Sequence, residues 1–160
     1  MSSGENLENT NNDKFLEFSC GNEKFAIPLM KVREVIGVPE TTPTPFSPDY
    51  YLGIMNLRGK ILSIVDLCQK LQIKAEGTSE ENAVIIVDIE GVILGLKVDS
   101  VDKVVFPEAG SYVQPEQIKT GTKNGFINGV FRVDQNLVII FDLTKILTGE
   151  ELQFLDEKAS

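Results

Sequence analysis

The sequence predicts an all-β protein with short helices, arranged as two small pseudo-symmetric β-barrels followed by a C-terminal helix. Most apolar residues fall into short runs rich in Val, Ile and Phe, bounded by Gly, Asn, Asp or Pro, which is typical of strands. Parts of the pattern also recur, because two stretches of the chain match later stretches at constant offsets. Barrel closure is the simplest way for many short strands to avoid exposed sheet edges.

The first predicted strands form a hairpin. Residues 15–20 alternate between inward and outward positions, and Gly21-Asn22 turns the chain into a second strand over residues 24–27. The hairpin begins the compact domain, which we expect to span residues 14–155. Residues 1–13 and 156–160 are expected to be tails, the first of them disordered.

A short helix and a loop are predicted next. Pro28 suits the first position of a helix, which would turn Leu29, Val32 and Val35 towards the interior. The Pro-rich residues 39–48 disfavour regular secondary structure, so we expect a structured loop there.

A second hairpin and a short helix complete the first half of the domain, approximately residues 14–73. Strands over residues 53–57 and 60–65 flank a turn at Arg58-Gly59. A helix over residues 66–71 begins at Asp66, whose side chain can cap it. The polar residues 74–82 then separate this half from the second one.

The second half, approximately residues 83–147, has a similar order of elements. Its predicted strands cover residues 83–89, 92–98, a run ending at Val104-Val105, 126–133 and 137–141, with a long polar loop up to Asn124 and a turn over residues 134–136. Thr148 and Glu151 have the spacing of a capping box, which predicts a last helix that is exposed and independent of the barrels.

An internal repeat is the most informative feature. Residues 53–71 match residues 129–147 at a constant offset of 76, and a weaker match at an offset of 69 aligns residues 25–36 with 94–105. Chance similarity between β-rich segments does not easily match Gly, Asp and Leu in one ungapped register. The repeat therefore predicts two duplicated halves that share one groove, and an exchange of strands between the halves is one way to build them.

Composition and charge narrow the function. The chain has 160 residues, 42% of them hydrophobic, so it can bury a core. Its net charge of −9 opposes binding to nucleic acid or to an anionic membrane, and its apolar runs are too short to span a bilayer. The polar, Asn-rich first residues do not form a signal peptide, so we expect a cytoplasmic protein.

The chemistry that the chain can perform is also limited. It has no histidine, which excludes catalytic triads and His-ligated zinc, and no glycine-rich phosphate motif. Cys20 and Cys68 match no metal or redox spacing and are expected to be small core residues, so neither a metal nor a cofactor is predicted. One catalytic alternative is a pseudo-symmetric β-barrel hydrolase that uses Asp66 and Asp142, which the repeat relates. Since each Asp opens a helical segment, an N-cap is the simpler explanation, and we predict a protein that is not an enzyme.

One segment resembles a known family. Residues 53–67, GIMNLRGKILSIVDL, are similar to the signature of the CheW family, which reads G-x-x-N-L-R-G, three residues, Pro, and then V/I-x-D-L. Residues 15–36 are similar to the start of that family, and the resemblance covers about residues 14–155. Ser63 stands where the family usually has Pro. The resemblance implies two SH3-like five-stranded barrels with a hydrophobic groove between them.

The resemblance also implies a function in chemotaxis signal transduction. CheW-family proteins are adaptors in which the cytoplasmic tip of a chemoreceptor docks in the groove, while the histidine kinase CheA binds through its homologous regulatory domain. We therefore expect a coupling protein that bridges methyl-accepting chemotaxis proteins and CheA by protein–protein binding and is recruited to receptor arrays. A CheW-like adaptor of a non-flagellar pathway is an alternative.

The resemblance and the local pattern place receptor contacts at Leu29, Val32, Glu34, Asn56 and Arg58. Arg58, at a tight turn, would orient the receptor tip directly or through an ion pair with Glu34. The competing interpretation is a solvated hairpin tip with an ordinary surface pair.

Kinase contacts are expected on the rim of the first barrel, at Val38 and Gly53. Gly53 is predicted to need a backbone conformation that a Cβ would block.

Overall fold

The computed structural model describes residues 14–74, 79–113 and 126–159. The tail predicted over residues 1–13 and part of the polar loop predicted up to Asn124 lie outside these residues. The strands of the described part are β1 (Phe15–Cys20), β2 (Glu23–Pro28), β3 (Val32–Gly37), β4 (Tyr51–Leu57), β5 (Lys60–Asp66), β6 (Ala83–Ile89), β7 (Val92–Val98), β8 (Ser100–Val105), β9 (Tyr112–Val113), β10 (Ile127–Val133) and β11 (Asn136–Phe141). Its α-helices are α1 (Leu67–Lys70), α2 (Leu143–Ile146) and α3 (Gly149–Lys158).

These strands form two sheets, and each sheet takes strands from both halves of the chain. Sheet A has the order β8-β1-β2-β11-β10-β9, and sheet B has the order β3-β6-β7-β5-β4. From β1 onward the chain runs through sheet A, crosses to sheet B after β2 and returns to sheet A after β7. Consequently β2 pairs in parallel with β11, and β5 pairs in parallel with β7.

The two repeats of the sequence occupy equivalent places in the two sheets. Gly53 lies opposite Ile64 in sheet B, as Gly129 lies opposite Ile140 in sheet A, which is the offset of 76 on both strands. The parallel pairs agree as well. Ile64 faces Gly95 in sheet B, and Ile140 faces Ala26 in sheet A, so the two facing residues Gly95 and Ala26 are related by the offset of 69. Five strands of sheet A, all except the two-residue β9, thus have counterparts in sheet B. The predicted fold class, two pseudo-symmetric five-stranded β units of the SH3-like barrel type, is therefore confirmed.

The buried residues separate the molecule into one shared core and two smaller ones. The shared core lies between the sheets and also receives apolar residues of the three helices. Because side chains alternate across a strand, the opposite face of each sheet forms the interior of its own barrel. That interior contains Met55, Leu62, Ile64, Val84 and Ile86 in sheet B. Cys20 and Cys68 are both buried, as expected of small core residues.

The helix predicted after Pro28 is wrong. Only a 3-10 turn of three residues, Leu29–Lys31, follows the first hairpin, and Val32 already belongs to β3. Val35 is 42% exposed rather than turned inward. The segment contains β-branched residues that favour extended backbone, and as a strand it pairs with β6 along its length.

The last hairpin and the last helix also differ from prediction. Val133 pairs with Asn136, so the turn consists of two residues rather than three. Thr148 and Glu151 form the predicted capping box, but the helix is not independent. Leu152 and Leu155 are buried in the shared core, because apolar residues three positions apart lie on one side of a helix.

Candidate protein-binding site

The β4–β5 hairpin ends in a tight turn that presents Arg58. Leu57 pairs with Lys60, and both intervening residues have positive φ, 53° at Arg58 and 86° at Gly59. This is the backbone of a type I′ turn, in which glycine is favoured and arginine is uncommon. The side-chain Oδ1 of Asn56 accepts a hydrogen bond of 2.8 Å from the Gly59 backbone N–H. Asn56 therefore fixes the turn from which the arginine side chain extends.

Arg58 and Glu34 form a two-pronged ion pair across the end of the barrel. The guanidinium donates from Nη1 to Oε1 at 2.7 Å and from Nη2 to Oε2 at 2.9 Å. Its hydrogen bonds hold the pKa of the Glu34 carboxyl below its ordinary value. The Arg58 side chain is 72% exposed and that of Glu34 30%. The two parallel hydrogen bonds thus orient the guanidinium, which has further N–H donors that can face a partner.

The ion pair borders a pocket of about 340 Å³ at the mouth of the sheet B barrel. The pocket has an apolar floor of Leu57, Leu62, Ile86 and Ile93 and a charged rim of Arg33, Glu34, Arg58 and Lys60. Three of the four rim residues are cationic, although the whole chain has a net charge of −9. Arg58 is paired with Glu34 and Arg33 with Asp88, so the rim consists of two ion pairs and Lys60 around an apolar floor. Such a mouth suits an apolar side chain next to an acidic group.

The structure brings together three of the five predicted receptor contacts, namely Glu34, Asn56 and Arg58. Leu29 and Val32 are half-buried and pack against the core between the sheets. Val32 pairs with Val87 of β6 at the start of β3, close in sequence to Glu34. Only part of the Leu29 and Val32 side chains is therefore exposed to a partner.

The predicted kinase contacts lie at the other end of β3 and β4. Val38 directly follows β3 and is 45% exposed. Gly53 is buried with a φ of 130°, and a Cβ there would lie 2.4 Å from the carbonyl oxygen of Thr42. Thr42 and Ile54 exchange two backbone hydrogen bonds, of 3.0 and 3.1 Å, which attach the loop of residues 38–50 to β4. The predicted need for glycine at position 53 is confirmed, and its reason is this close approach of the loop.

Phe46 in the same loop is not predicted from the sequence. It is fully exposed and has a positive φ of 60°. The one sequence signal that could have indicated it is an aromatic residue placed between prolines, in Thr44-Pro45-Phe46-Ser47-Pro48.

The two repeat-related aspartates serve as helix caps. Asp66 accepts a hydrogen bond of 3.1 Å from the Gln69 N–H at the start of α1, and Asp142 accepts one of 3.0 Å from the Thr144 N–H at the start of α2. In the part of the chain that the structure describes, no three His, Cys, Asp or Glu residues are grouped as a metal site requires. None of the helices described there combines the length and apolar character needed to cross a bilayer.

Two pseudo-symmetric β units with exposed polar turns, in which the repeat-related aspartates serve as helix caps, fit a scaffold class of protein. Within that class, the family model of the CheW-like domain matches residues 14–151, so the chain belongs to the CheW-like domain family. This is a family of chemotaxis scaffold proteins and not of enzymes. The resemblance seen in the sequence is confirmed, and the hydrolase alternative at Asp66 and Asp142 is not favoured.

Individual relatives agree with this membership. The chain is 30% identical to "Chemotaxis protein CheW" of Treponema pallidum, over 91% of this chain and 89% of that protein. It is 28% identical to "Chemotaxis protein CheW" of Rhizobium meliloti, over 86% of this chain and 89% of that protein. The crystal structure of the scaffolding protein TtCheW from Thermoanaerobacter tengcongensis is similar with a TM-score of 0.77 and 32% identity, covering 88% of this chain and 97% of that one.

Proposed function

We propose that this protein is a cytoplasmic chemotaxis coupling protein that holds the tip of a chemoreceptor and the kinase CheA together in a receptor array. The observation that supports it most is the Arg58–Glu34 pair, which lies on the N-L-R-G turn of a CheW-like domain. An ion pair this exposed contributes little to folding, yet a strained turn and a capping Asn56 orient it. Such an arrangement suits recognition of another protein.

The receptor contacts proposed are Leu29, Val32, Glu34, Asn56 and Arg58. A receptor tip is a helical hairpin, and its apolar stripe would pack against the exposed parts of Leu29 and Val32 as a helix does in a groove. The free donors of Arg58 would bind carbonyl or carboxylate oxygens of that hairpin.

The kinase contacts proposed are Val38 and the loop that Gly53 keeps against β4. They follow the last residue of β3, whereas Glu34 and Arg58 lie where β3 begins and β4 has ended. Two partners can therefore bind at the same time, one at each end of sheet B, which is what a bridge requires. We propose that residues 14–155 act as one unit in this role, with halves at about 14–73 and 83–147.

Substitution of Arg58 tests the receptor contact. Arg58→Ala should weaken co-sedimentation with receptor about fivefold or more, as loss of a central interface arginine does, and leave CheA affinity within about twofold. Lys103→Ala is the matched control, because it removes the equivalent ion pair of sheet A, Lys103–Asp134 at 3.0 Å. Normal receptor binding by Arg58→Ala, or parallel loss of both partners, would place the receptor site elsewhere.

Substitution of Val38 tests the kinase contact. Val38→Asp puts a charge on an exposed position outside the strands, so far-UV circular dichroism should stay native. Binding to the CheA regulatory domain should fall about fivefold or more while receptor binding is kept. If CheA binds this variant as well as it binds the unmodified chain, Val38 is not part of the kinase contact.

A further inference from the structure

Phe46 combines two unfavourable features, an exposed ring and a positive φ. Its ring lies entirely in solvent, and its φ of 60° belongs to a region that bulky side chains rarely adopt. Strained residues persist where the surrounding structure holds them, and they are concentrated at functional sites.

The turn that carries Phe46 is braced on both sides. The hydroxyl groups of Thr44 and Ser47 are 2.5 Å apart, and the Ser47 hydroxyl donates a hydrogen bond of 2.8 Å to the Thr44 carbonyl oxygen. Pro45 precedes the aromatic residue directly, and Thr42 is hydrogen-bonded to β4. The backbone that carries the ring is therefore held in place, which reduces the backbone conformational entropy lost when a partner binds.

The charges around Phe46 indicate what kind of partner it fits. The loop of residues 38–50 contains Glu40 and Asp49, both exposed, and no basic residue. An anionic membrane would be repelled by these carboxylates and by the net charge of the chain. A protein pocket with an apolar floor and a basic border would complement both the ring and the carboxylates.

A CheW-like domain is able to form a pocket of that kind. The mouth of sheet B in this chain has an apolar floor under Arg33, Arg58 and Lys60, and its volume of about 340 Å³ is large enough for a benzyl group. The kinase is expected to bind through a regulatory domain of the same fold, and the Phe46 loop directly follows the proposed kinase contact at Val38.

We propose that Phe46 is the hydrophobic anchor of the kinase contact, and that its ring enters an apolar pocket with basic borders on the regulatory domain of CheA. This inference rests on the proposed function, whose kinase contact it makes specific.

Phe46→Gly is the decisive variant, because glycine tolerates the positive φ while removing the ring. A purely structural role predicts that the variant is less stable, whereas an anchor predicts unchanged or higher stability in urea unfolding together with at least tenfold weaker binding to the CheA regulatory domain in calorimetry. Phe106→Asn is the control, since Phe106 is also exposed, at 62%, but follows β8 of sheet A. Its affinity should stay within about twofold.

The possible failures can be told apart. If the unmodified chain does not bind the regulatory domain, the proposed function itself is wrong. If it binds and Phe46→Gly binds equally well, or if Phe106→Asn loses as much affinity, the anchor assignment is wrong and the coupling function stands. Binding to phosphatidylglycerol vesicles that disappears in Phe46→Gly would replace the kinase pocket with a membrane as the target.

Discussion

The mouths of the two barrels occupy equivalent positions, but they are filled by opposite kinds of residue. In sheet B, Ile86 and Ile93 form part of an apolar pocket floor. The residues at the same places in sheet A, 69 positions earlier, are Glu17 and Lys24. Glu17 is only 6% exposed, and the Lys24 ammonium donates a hydrogen bond of 2.8 Å to Asp102. One mouth is therefore an open apolar pocket, whereas a network of charges lies in the other.

The ion pairs at the two hairpin tips show the same divergence. Arg58 and Glu34 in sheet B correspond by the two offsets to Asp134 and Lys103 in sheet A, where the charges are exchanged between the strands. The backbone register is the same at both places. Strand pairing thus conserves the scaffold, while side chains at its ends change without affecting it, so symmetry of the fold does not imply symmetry of binding.

The largest effect is expected where the loop of residues 38–50 attaches to sheet B. In sheet B the loop of residues 38–50 reaches β4 only because Gly53 has no Cβ. Gly53→Ala should lower the free energy of unfolding by about 3 kcal/mol, because it combines a positive φ with a backbone clash. Gly37→Ala is the control, since a Cβ there meets no atom within 4 Å, and it should change stability by about 0.5 kcal/mol or less. Equal urea midpoints for the two variants would contradict the attachment.

A smaller loss of stability is expected from changes in the two barrel interiors, which should respond differently. Gly95 of sheet B corresponds to Ala26 of sheet A, and a Cβ at Gly95 would lie 2.5 Å from Ile64 Cδ1 and 2.7 Å from Val84 Cγ1. Gly95→Ala should therefore cost about 2 kcal/mol through overpacking. The reverse change, Ala26→Gly, should cost about 1 kcal/mol, mainly through backbone entropy. Chemical denaturation measures both, and a stabilising Gly95→Ala would mean that the interiors pack alike.

The helices that follow β5 and β11 begin in the same way, so loss of either N-cap should lower the free energy of unfolding equally. Asp66→Ala and Asp142→Ala each remove an N-cap and should each cost about 1 kcal/mol, while the Asn variants, which can still cap, should cost no more than that. Thermal unfolding of the four variants measures this. A difference above about 1 kcal/mol between the two alanine variants would show that the repeat-related helices are not held in the same way.

The smallest effect is a decline of stability with rising pH that arises at the mouth of sheet A. Burial raises the pKa of the Glu17 carboxyl, and the Asp102 carboxyl raises it further, against the opposing charges of Lys24 and Lys103. A raised pKa means that the folded protein holds this proton more tightly than the unfolded chain does, so the contribution of Glu17 to stability falls as pH rises above the ordinary glutamate pKa of 4.5. Glu17→Gln should remove that decline, as seen in unfolding free energies at pH 5 and pH 8.

Ile86→Val is the control for this titration, because the equivalent position in sheet B carries no charge. Its difference from the unmodified chain should be the same at both pH values. If Glu17→Gln also gives a constant difference, the carboxyl does not sense its burial and the contrast between the mouths is weaker than the geometry indicates.

Strands and turns could be predicted from the sequence wherever local signals agreed. Residues 83–89 and 92–98 are strands with the predicted bounds, because β-branched runs flank a Glu90-Gly91 turn. The segment after Pro28 was ambiguous, since its apolar positions fit a helix as well as a strand. Pairing with β6, a distant part of the chain, decides in favour of the strand.

Parts of the site depend on information that local patterns do not contain. Arg58 and Glu34 could be placed together from the family signature and the turn. The solvent position of Phe46 depends on the φ of a single loop residue, which its sequence neighbours do not determine. The exchange of strands between the sheets was only one possibility in the sequence, because a repeat gives each strand two partners of nearly equal quality, its own neighbours or their copies.

The exchange has a consequence for the origin of the protein. The first half of the chain contributes β1 and β2 to sheet A and β3, β4 and β5 to sheet B, so a single half contains all the strands of neither barrel. An ancestor of half this length would have been complete only as a homodimer whose two copies traded hairpins, and every mutation would have appeared at both tips. Fusion of the two copies into one chain would have ended that constraint. After such a fusion, one mouth could become apolar with a charged rim while the equivalent mouth acquired buried carboxylates. Two identical copies in a symmetric dimer could not differ in this way.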